Sequence, residues 1–391
     1  MFISLHTCDV YCLPDNYLVQ DSTLRDIRHV MDPRFTPAQI SNLDQTATYS
    51  RCLGGSSYLP GVMGLNNMKN NDAMNVVFQA LVAIPPLRDF FLDSANTDVY
   101  RDQSSVVRHF GELCRKVWSS GRFRSHVSPH EILQAVSTSS KRKFRIGERC
   151  DPSEFLLWFL NKLHAELGGT RKPGSSPIHS IFQGKLYIKS YKKMKAEEKS
   201  SGKGKGASGD GATESWEESD SVVPMLYLPL DVPATPLFKN ESDKNIIPQL
   251  PLLALLEMYN GQKESMVTRT GERRQMIIRD LPQYLILHIR RFAKNNWFVE
   301  KNHTIVHFPV QNLEMKDFVD DQGNAIQGTK YNLLANIRHE GDDLKGGQCT
   351  VDVLHKANDQ WYELQDLEVK DTIPQLIALS ESYIQIWERQ K

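Results

Sequence analysis

Gly64-Leu-Asn-Asn-Met-Lys-Asn-Asn-Asp72-Ala-Met-Asn-Val-Val-Phe-Gln79 is the stretch on which the reading of this chain turns. A polar, Asn-rich loop runs into an apolar helical period. Ala73, Val76, Val77, Ala80, Leu81 and Ile84 fall at i, i+3, i+4, i+7, i+8 and i+11, one face of an α-helix. Asn71 is the expected N-cap and Asp72 falls in the first turn. A helix N-terminus carries partial positive charge and favours an anion there. In a loop-then-helix protease, this is where the nucleophile sits.

Composition narrows the rest. The chain has 391 residues, 40% of them hydrophobic, enough for one large core or two moderate ones. The 47 basic and 47 acidic residues cancel, so bulk charge gives no argument for nucleic acid or a membrane. The six cysteines (8, 12, 52, 114, 150 and 349) form no C-x-x-C pair, so no zinc site and no cofactor is expected, and free thiols in a reducing compartment are. The opening Met-Phe-Ile-Ser-Leu-His has no basic n-region, and no apolar run is long enough for a membrane span. An intracellular, soluble chain is the expectation.

Upstream of the quoted stretch, Met1–Leu5 and Cys8–Cys12 read as short strands with a Pro14-Asp15-Asn16 turn. Helices are expected near Leu24–Met31 and Pro37–Tyr49, the second opened by Thr36-Pro37. Downstream, Pro85-Pro86 stops the helical period. Val106 to Trp118 forms another stripe, and Ser128-Pro129-His130-Glu131 reads as a capping box. Asp151-Pro152-Ser153-Glu154 repeats that device before the apolar Phe155–Leu167, which ends at Gly168-Gly169. From Ile181 the period becomes two, with a strand expected over Ile181–Ile188. Lys195–Ser221 is nearly devoid of apolar residues and is expected to be a flexible insert, the one place where the sequence offers RNA a contact. Met225–Val232 reads as a strand and Pro251–Tyr259 as a short helix. Leu281-Pro-Gln-Tyr-Leu-Ile-Leu-His-Ile-Arg-Arg-Phe292 is apolar almost throughout, which predicts a strand buried on both faces.

These segments carry a resemblance. The opening stretch resembles the cysteine box of the ubiquitin-specific proteases, Gly-Leu-x-Asn-Leu-Gly-Asn-Thr-Cys-Tyr-Met-Asn-Ser-x-Leu-Gln, through Gly64, Leu65, Asn67, Asn70, Met74, Asn75 and Gln79. Asp151-x-x-Glu154-Phe155-Leu156, Leu281–Phe292 with Lys301–Pro309, Tyr331–Gly341, Trp361–Val369 and Ser382–Arg389 resemble further boxes of that family, in order. The resemblance implies an α+β, papain-like fold over about residues 61–391: a helical thumb over about 61–180 and an antiparallel palm with fingers over about 181–391. Residues 1–60 resemble the end of a zinc-finger ubiquitin-binding domain followed by linker helices, its metal ligands expected upstream of Met1.

The same resemblance puts Asp72 at the catalytic Cys position, Gln348 at the His position and Gln365 at the orienting position, with Asp366 beside it. His339 and His355 flank Gln348 in sequence but match structural positions. Asn67 matches the oxyanion-hole Asn. A cysteine peptidase needs a thiolate, an imidazole base and a group that orients the base. An amide has no titrating proton near neutral pH, so neither Gln serves as a base. The expectation is therefore a pseudoenzyme with no catalytic residues. Its wording is closest to the inactive, splicing-associated branch of the family, which implies a nuclear scaffold among spliceosomal tri-snRNP proteins. A non-catalytic ubiquitin receptor and a residual deubiquitinase are the alternatives. Missing finger cysteines argue against ubiquitin binding.

Overall fold

The computed structural model describes residues 1–4, 9–96, 105–193, 216–233, 248–267, 271–294, 299–320, 328–343 and 346–391. At the N-terminal end, β1 (Phe2–Ile3), β2 (Val10–Cys12) and β3 (Tyr17–Leu18) form a small antiparallel sheet. The helices α1 (Arg25–Met31) and α2 (Pro37–Asn42) follow. Thr36 caps α2 through a complete capping box with Gln39. The helix is shorter than the expected Pro37–Tyr49, because the chain turns away after Asn42 to lie along the thumb. That docking is electrostatic as well as apolar. Asp44 accepts two hydrogen bonds from the buried Arg88 guanidinium, at 2.7 and 2.9 Å, and the guanidinium lies 4.5 Å from the Trp118 ring centre.

The thumb contains α3 (Asp72–Val82), α4 (Pro85–Leu92), α5 (Ser105–Trp118), α6 (His130–Ser139), α7 (Pro152–Glu166) and α8 (Pro177–Phe182). Two-residue strands β4 (Gly64–Leu65) and β5 (His126–Val127) pair in parallel at its base. Every residue of α3 is buried. Phe78 is the hub, with Phe155, Phe159 and Phe110 at ring-centre distances of 5.5, 5.4 and 6.3 Å. Asp151 caps α7 through Ser153 N at 2.7 Å, as the sequence predicts. The box at Ser128 does not form. Pro129 takes the N-cap position of α6 and no side chain caps it.

Eight strands build the palm in the order β8-β11-β17-β13-β14-β15-β16, with β12 pairing β13 from the side. They are β8 (Leu228–Asp231), β11 (Tyr284–Arg290), β12 (Leu313–Glu314), β13 (Lys330–Glu340), β14 (Gln348–His355), β15 (Gln360–Gln365), β16 (Glu368–Thr372) and β17 (Ser382–Arg389). All pairings are antiparallel except β8 with β11. Strand β11 is buried on both faces: Tyr284 and Ile286 enter the thumb-side core, while Leu285, Leu287 and Ile289 enter the second core behind the sheet. The short helix α9 (Leu252–Leu256) packs into that second core, and α10 (Pro374–Ala378) anchors there through Ile377.

A four-stranded sheet, β9-β10-β6-β7, extends beyond the palm as β6 (Gly184–Lys193), β7 (Trp216–Met225), β9 (Asn260–Val267) and β10 (Glu272–Asp280). Two boundaries differ from expectation. Ile181 and Phe182 end α8, where they pack into the thumb core, and the strand begins at Gly184. Trp216–Ser221 are not part of a flexible insert: they pair with Ile188–Lys193 across an unbroken register. Their polar side chains are compatible with a strand whose faces are both wet, and the main-chain ladder supplies the order. Residues 195–215 of the expected insert lie outside the described residues. Among the described residues no single helix is long and apolar enough to cross a membrane.

Candidate functional site at the lobe junction

Helix α3 packs against β14 and α7, so its first turn opens where thumb and palm meet. Asp72 begins the helix and is nearly buried, 7% exposed. Its Oδ2 accepts a hydrogen bond from the Cys349 backbone N at 2.9 Å. Cys349 is the residue after Gln348 on β14. The carboxylate thus bridges the helix start to the palm strand.

The loop before α3 is fixed by a second carboxylate. Asp366 Oδ2 accepts from Asn67 Nδ2 at 2.8 Å and its Oδ1 from Asn75 Nδ2 at 3.1 Å. The Asp366 carbonyl accepts from Leu65 N at 2.7 Å. Asn67 Oδ1 in turn accepts from Asn71 N at 3.0 Å. Burial raises the Asp366 carboxyl above its usual value, the hydrogen bonds from Asn67 and Asn75 oppose this, and the Asp72 charge adds to it. Asp366 sits at φ 49°, in the tight turn that joins β15 to β16. Gly64 lets that turn approach: a Cβ there would lie 2.7 Å from the Leu367 carbonyl oxygen. Asn71 does occupy the N-cap position but caps nothing with its side chain. Its Oδ1 accepts instead from Gly147 N at 3.0 Å, tying the loop to the segment before α7.

Gln348 is the exposed first residue of β14, opposite Glu340. Gln365 is the half-buried last residue of β15, opposite Glu368. Neither forms part of the Asp72 or Asp366 hydrogen bonds described above. His339 is buried edge-on against Phe292, ring centres 5.1 Å apart. His355 stacks on Trp118 at the far end of β14 and its Nδ1 lies 3.0 Å from Asn358 Oδ1. The thiols near the junction are poor nucleophiles. Burial pushes Cys349 well above its ordinary value and Cys150 up to about 12, with Asp72 adding to both shifts. Among the described residues no group of three or more His, Cys, Asp or Glu side chains is placed to hold a metal ion.

Asn67 and Asp72 thus lie on one loop and helix start, while Gln348 and Gln365 border the same junction from the palm. The tie made by Asp366, and the Cys349 amide that meets Asp72, were not visible in the sequence. The first spans 299 residues to Asn67 and the second 277. Only the neighbouring Gln365-Asp366 pair hinted at a role for Asp366.

Comparison with known proteins agrees with this architecture. The ubiquitin carboxyl-terminal hydrolase family model matches residues 63–387. The mouse protein "Ubiquitin carboxyl-terminal hydrolase 39" is 44% identical over the whole chain and 70% of its own length. The Schizosaccharomyces pombe "Probable mRNA-splicing protein ubp10" is 40% identical over the whole chain and 77% of its length. Among solved structures, "Crystal structure of an essential yeast splicing factor" superposes with a TM-score of 0.72 at 22% identity, covering all of this chain and 85% of that one. "Structure of the SAGA Ubp8/Sgf11/Sus1/Sgf73 DUB module bound to ubiquitin aldehyde" gives 0.65 at 15%, covering all of this chain and 80% of that one. The chain belongs to the ubiquitin carboxyl-terminal hydrolase family.

Proposed function

We propose that this chain is a non-catalytic member of its family that works in pre-mRNA splicing, in the nucleus, as a scaffold contacting spliceosomal tri-snRNP proteins. The observation that carries the non-catalytic reading is the Asp72 carboxylate at the start of α3, engaged by the Cys349 amide. A carboxylate held this way is a weak nucleophile towards an amide, and an aspartic-protease route needs a second carboxylate sharing its proton. Asp366 does not fill that role: both its oxygens accept from Asn67 and Asn75. Gln348 and Gln365 supply no base. Asn67 then serves the loop rather than an oxyanion. The splicing role is supported by the name of the Schizosaccharomyces pombe relative at 40% identity, "Probable mRNA-splicing protein ubp10".

In this reading residues 61–391 are the hydrolase-like domain, and residues 1–60 are related to the end of a ubiquitin-binding finger with its linker helices. A pulldown from nuclear extract, read by mass spectrometry, is expected to recover tri-snRNP proteins. Recovery of none would overturn the scaffold role. Labelled ubiquitin titrated against the chain is expected to show unshifted NMR spectra. Shifts confined to one surface would favour a ubiquitin receptor instead.

A further inference from the structure

Among the described residues, seven that are not glycine have a positive φ. Four are Asn or Asp (Asn16, Asn312, Asp359 and Asp366), whose short polar side chains tolerate the left-handed region. The other three are Lys69, Lys141 and Arg142, at φ 73°, 52° and 64°. Long cationic side chains have no such tolerance, so three basic residues stand where glycine would cost least. Lys141 and Arg142 close α6 in a Schellman motif. The Lys141 N–H donates to the Thr138 carbonyl at 3.1 Å and the Arg142 N–H to the Ser137 carbonyl at 2.8 Å. Glycine is the usual residue at the Lys141 position of that motif. A cation near a helix C-terminus is favourable, but it gains this anywhere in the last turn and needs no left-handed backbone for it.

The chain as a whole is neutral, yet residues 141–149 read Lys-Arg-Lys-Phe-Arg-Ile-Gly-Glu-Arg, five basic against one acidic. This basic loop is pinned along its length. Phe144 is buried and its N–H donates to Ser140 Oγ at 3.1 Å. Arg145 Nε donates to the Arg142 carbonyl at 3.0 Å, and Arg149 reaches the Gly347 carbonyl at 2.7 Å. Lys69 joins the loop from the segment before α3. Asn70 Nδ2 donates to the Gly147 carbonyl at 3.3 Å, and a Cβ on Gly147 would lie 3.6 Å from the Lys69 Cδ. Lys143 and Arg145 are paired, with Glu154 at 2.6 Å and Glu148 at 3.1 Å. Among the described residues no carboxylate pairs with Lys69, Lys141 or Arg142, and all three are exposed. The surface around them is polar: among the described residues, Phe123 is the one exposed large apolar side chain between Leu53 and Val222.

We propose that Lys69, Lys141 and Arg142 form a binding surface for the phosphate backbone of single-stranded RNA, each cation meeting one phosphate and none reading a base. Charge without apolar anchors fits a phosphate backbone, whereas a protein partner draws its affinity from a desolvated apolar or aromatic centre. The pinned loop holds its cations in place before binding, so little ordering is left to pay for. The left-handed positions have the same logic: they hold two adjacent cations out from the helix end at a cost that glycine would avoid. This proposal rests on the splicing reading, which brings RNA to the chain, and gives that reading a site. In sequence the site lies outside the Lys195–Ser221 segment.

The test uses the full chain and a fluorescein-labelled oligouridylate of about 12 nucleotides, followed by anisotropy over a range of salt. Three phosphate contacts on a single strand predict a slope of log affinity against log salt of about −2. The variant K141G/R142G is expected to bind about tenfold more weakly or worse and to flatten the slope to about −0.7. It should melt at or above the wild-type temperature, because glycine takes both left-handed positions freely. K69G, on a separate segment, is expected to weaken binding about threefold in the same direction. No RNA binding by wild type, or unchanged affinity and slope in K141G/R142G, would overturn the proposal. A fluorescein-labelled polyglutamate peptide bound as tightly as the RNA would assign the loop to an acidic protein segment and also overturn it. A pulldown from RNase-treated nuclear extract separates this site from the scaffold role. Tri-snRNP proteins recovered by a wild type that binds no oligouridylate would refute the RNA site and leave the scaffold role intact.

Discussion

Beneath α3, Phe78 meets Phe110, Phe155 and Phe159 in a sealed aromatic cluster. At the start of the same helix lies Asp72, which the proposed reading puts at the family's nucleophile position, with Gln348 and Gln365 across the junction. The two regions are joined by one short helix, yet they obey different constraints. The cluster needs volume and shape, which any well-packed apolar set supplies. The junction needs particular atoms: a thiolate, an imidazole, an orienting carbonyl. The first requirement is met in full, and the non-catalytic reading proposed above holds that the second is not. The junction remains ordered because its own hydrogen bonds, centred on Asp366, do the structural work.

That contrast is open to measurement, and the core gives the largest effect. Phe78→Ala removes a fully buried ring at the hub and is expected to cost about 3–5 kcal/mol, read as a shift in the urea midpoint. A loss below about 1 kcal/mol would show that the cluster collapses around the gap and is not the rigid partner of the comparison.

Next is His288, on β11, edge-on to Tyr383 with ring centres 4.9 Å apart. Burial lowers its pKa to about 4. The unfolded chain titrates near 6.5, so between those values the unfolded state binds the extra proton. Stability attributable to His288 is therefore full above pH 6.5 and falls as the pH drops towards 4, by about 2 kcal/mol after allowing for its residual exposure. Denaturation at pH 7 and 4.5 should show the loss, and His288→Gln should remove that part of it. An imidazole titrating near 6.5 by NMR would refute the assignment.

A smaller effect is expected at the junction tie. Asp366→Ala leaves the buried Asn75 amide without one of its acceptors and should cost about 1–2 kcal/mol. Faster exchange at the Asn71 amide, with the Phe78 region unchanged, would confine the damage to the mouth. Asp72→Asn is the mildest. The amide oxygen still accepts from Cys349 N, and only the charge at the helix start is lost, about 0.5–1 kcal/mol by thermal melting.

Much of the fold was legible because the apolar periods are strong. The faces of α3, α5 and α7 and the doubly buried β11 follow from spacing alone. Where periodicity is weak, tertiary packing decided. Ile181 and Phe182 match an alternating strand pattern, yet the thumb core takes both side chains at a helix end. Trp216–Ser221 lacks an apolar face and still pairs with β6, because a ladder needs no hydrophobic residue. The Ser128 box fails because Pro129 holds the cap position. At the site, motif order is what proposes Asp72, Gln348 and Gln365 for the three degenerate positions. The partners of Asp72 and Asp366 could not, since each contact joins residues hundreds of positions apart.

The most direct test of the central claim is hydrolysis of a fluorogenic ubiquitin C-terminal amide by the full chain and by its Asp72→Cys variant. With no base at Gln348 and no thiolate-activating partner, both are expected to match buffer, and an electrophilic ubiquitin probe should leave wild type unlabelled. Turnover by wild type would contradict the non-catalytic reading outright. Turnover by Asp72→Cys alone would show that an imidazole does reach the start of α3 and that Gln348 does not stand at the base position.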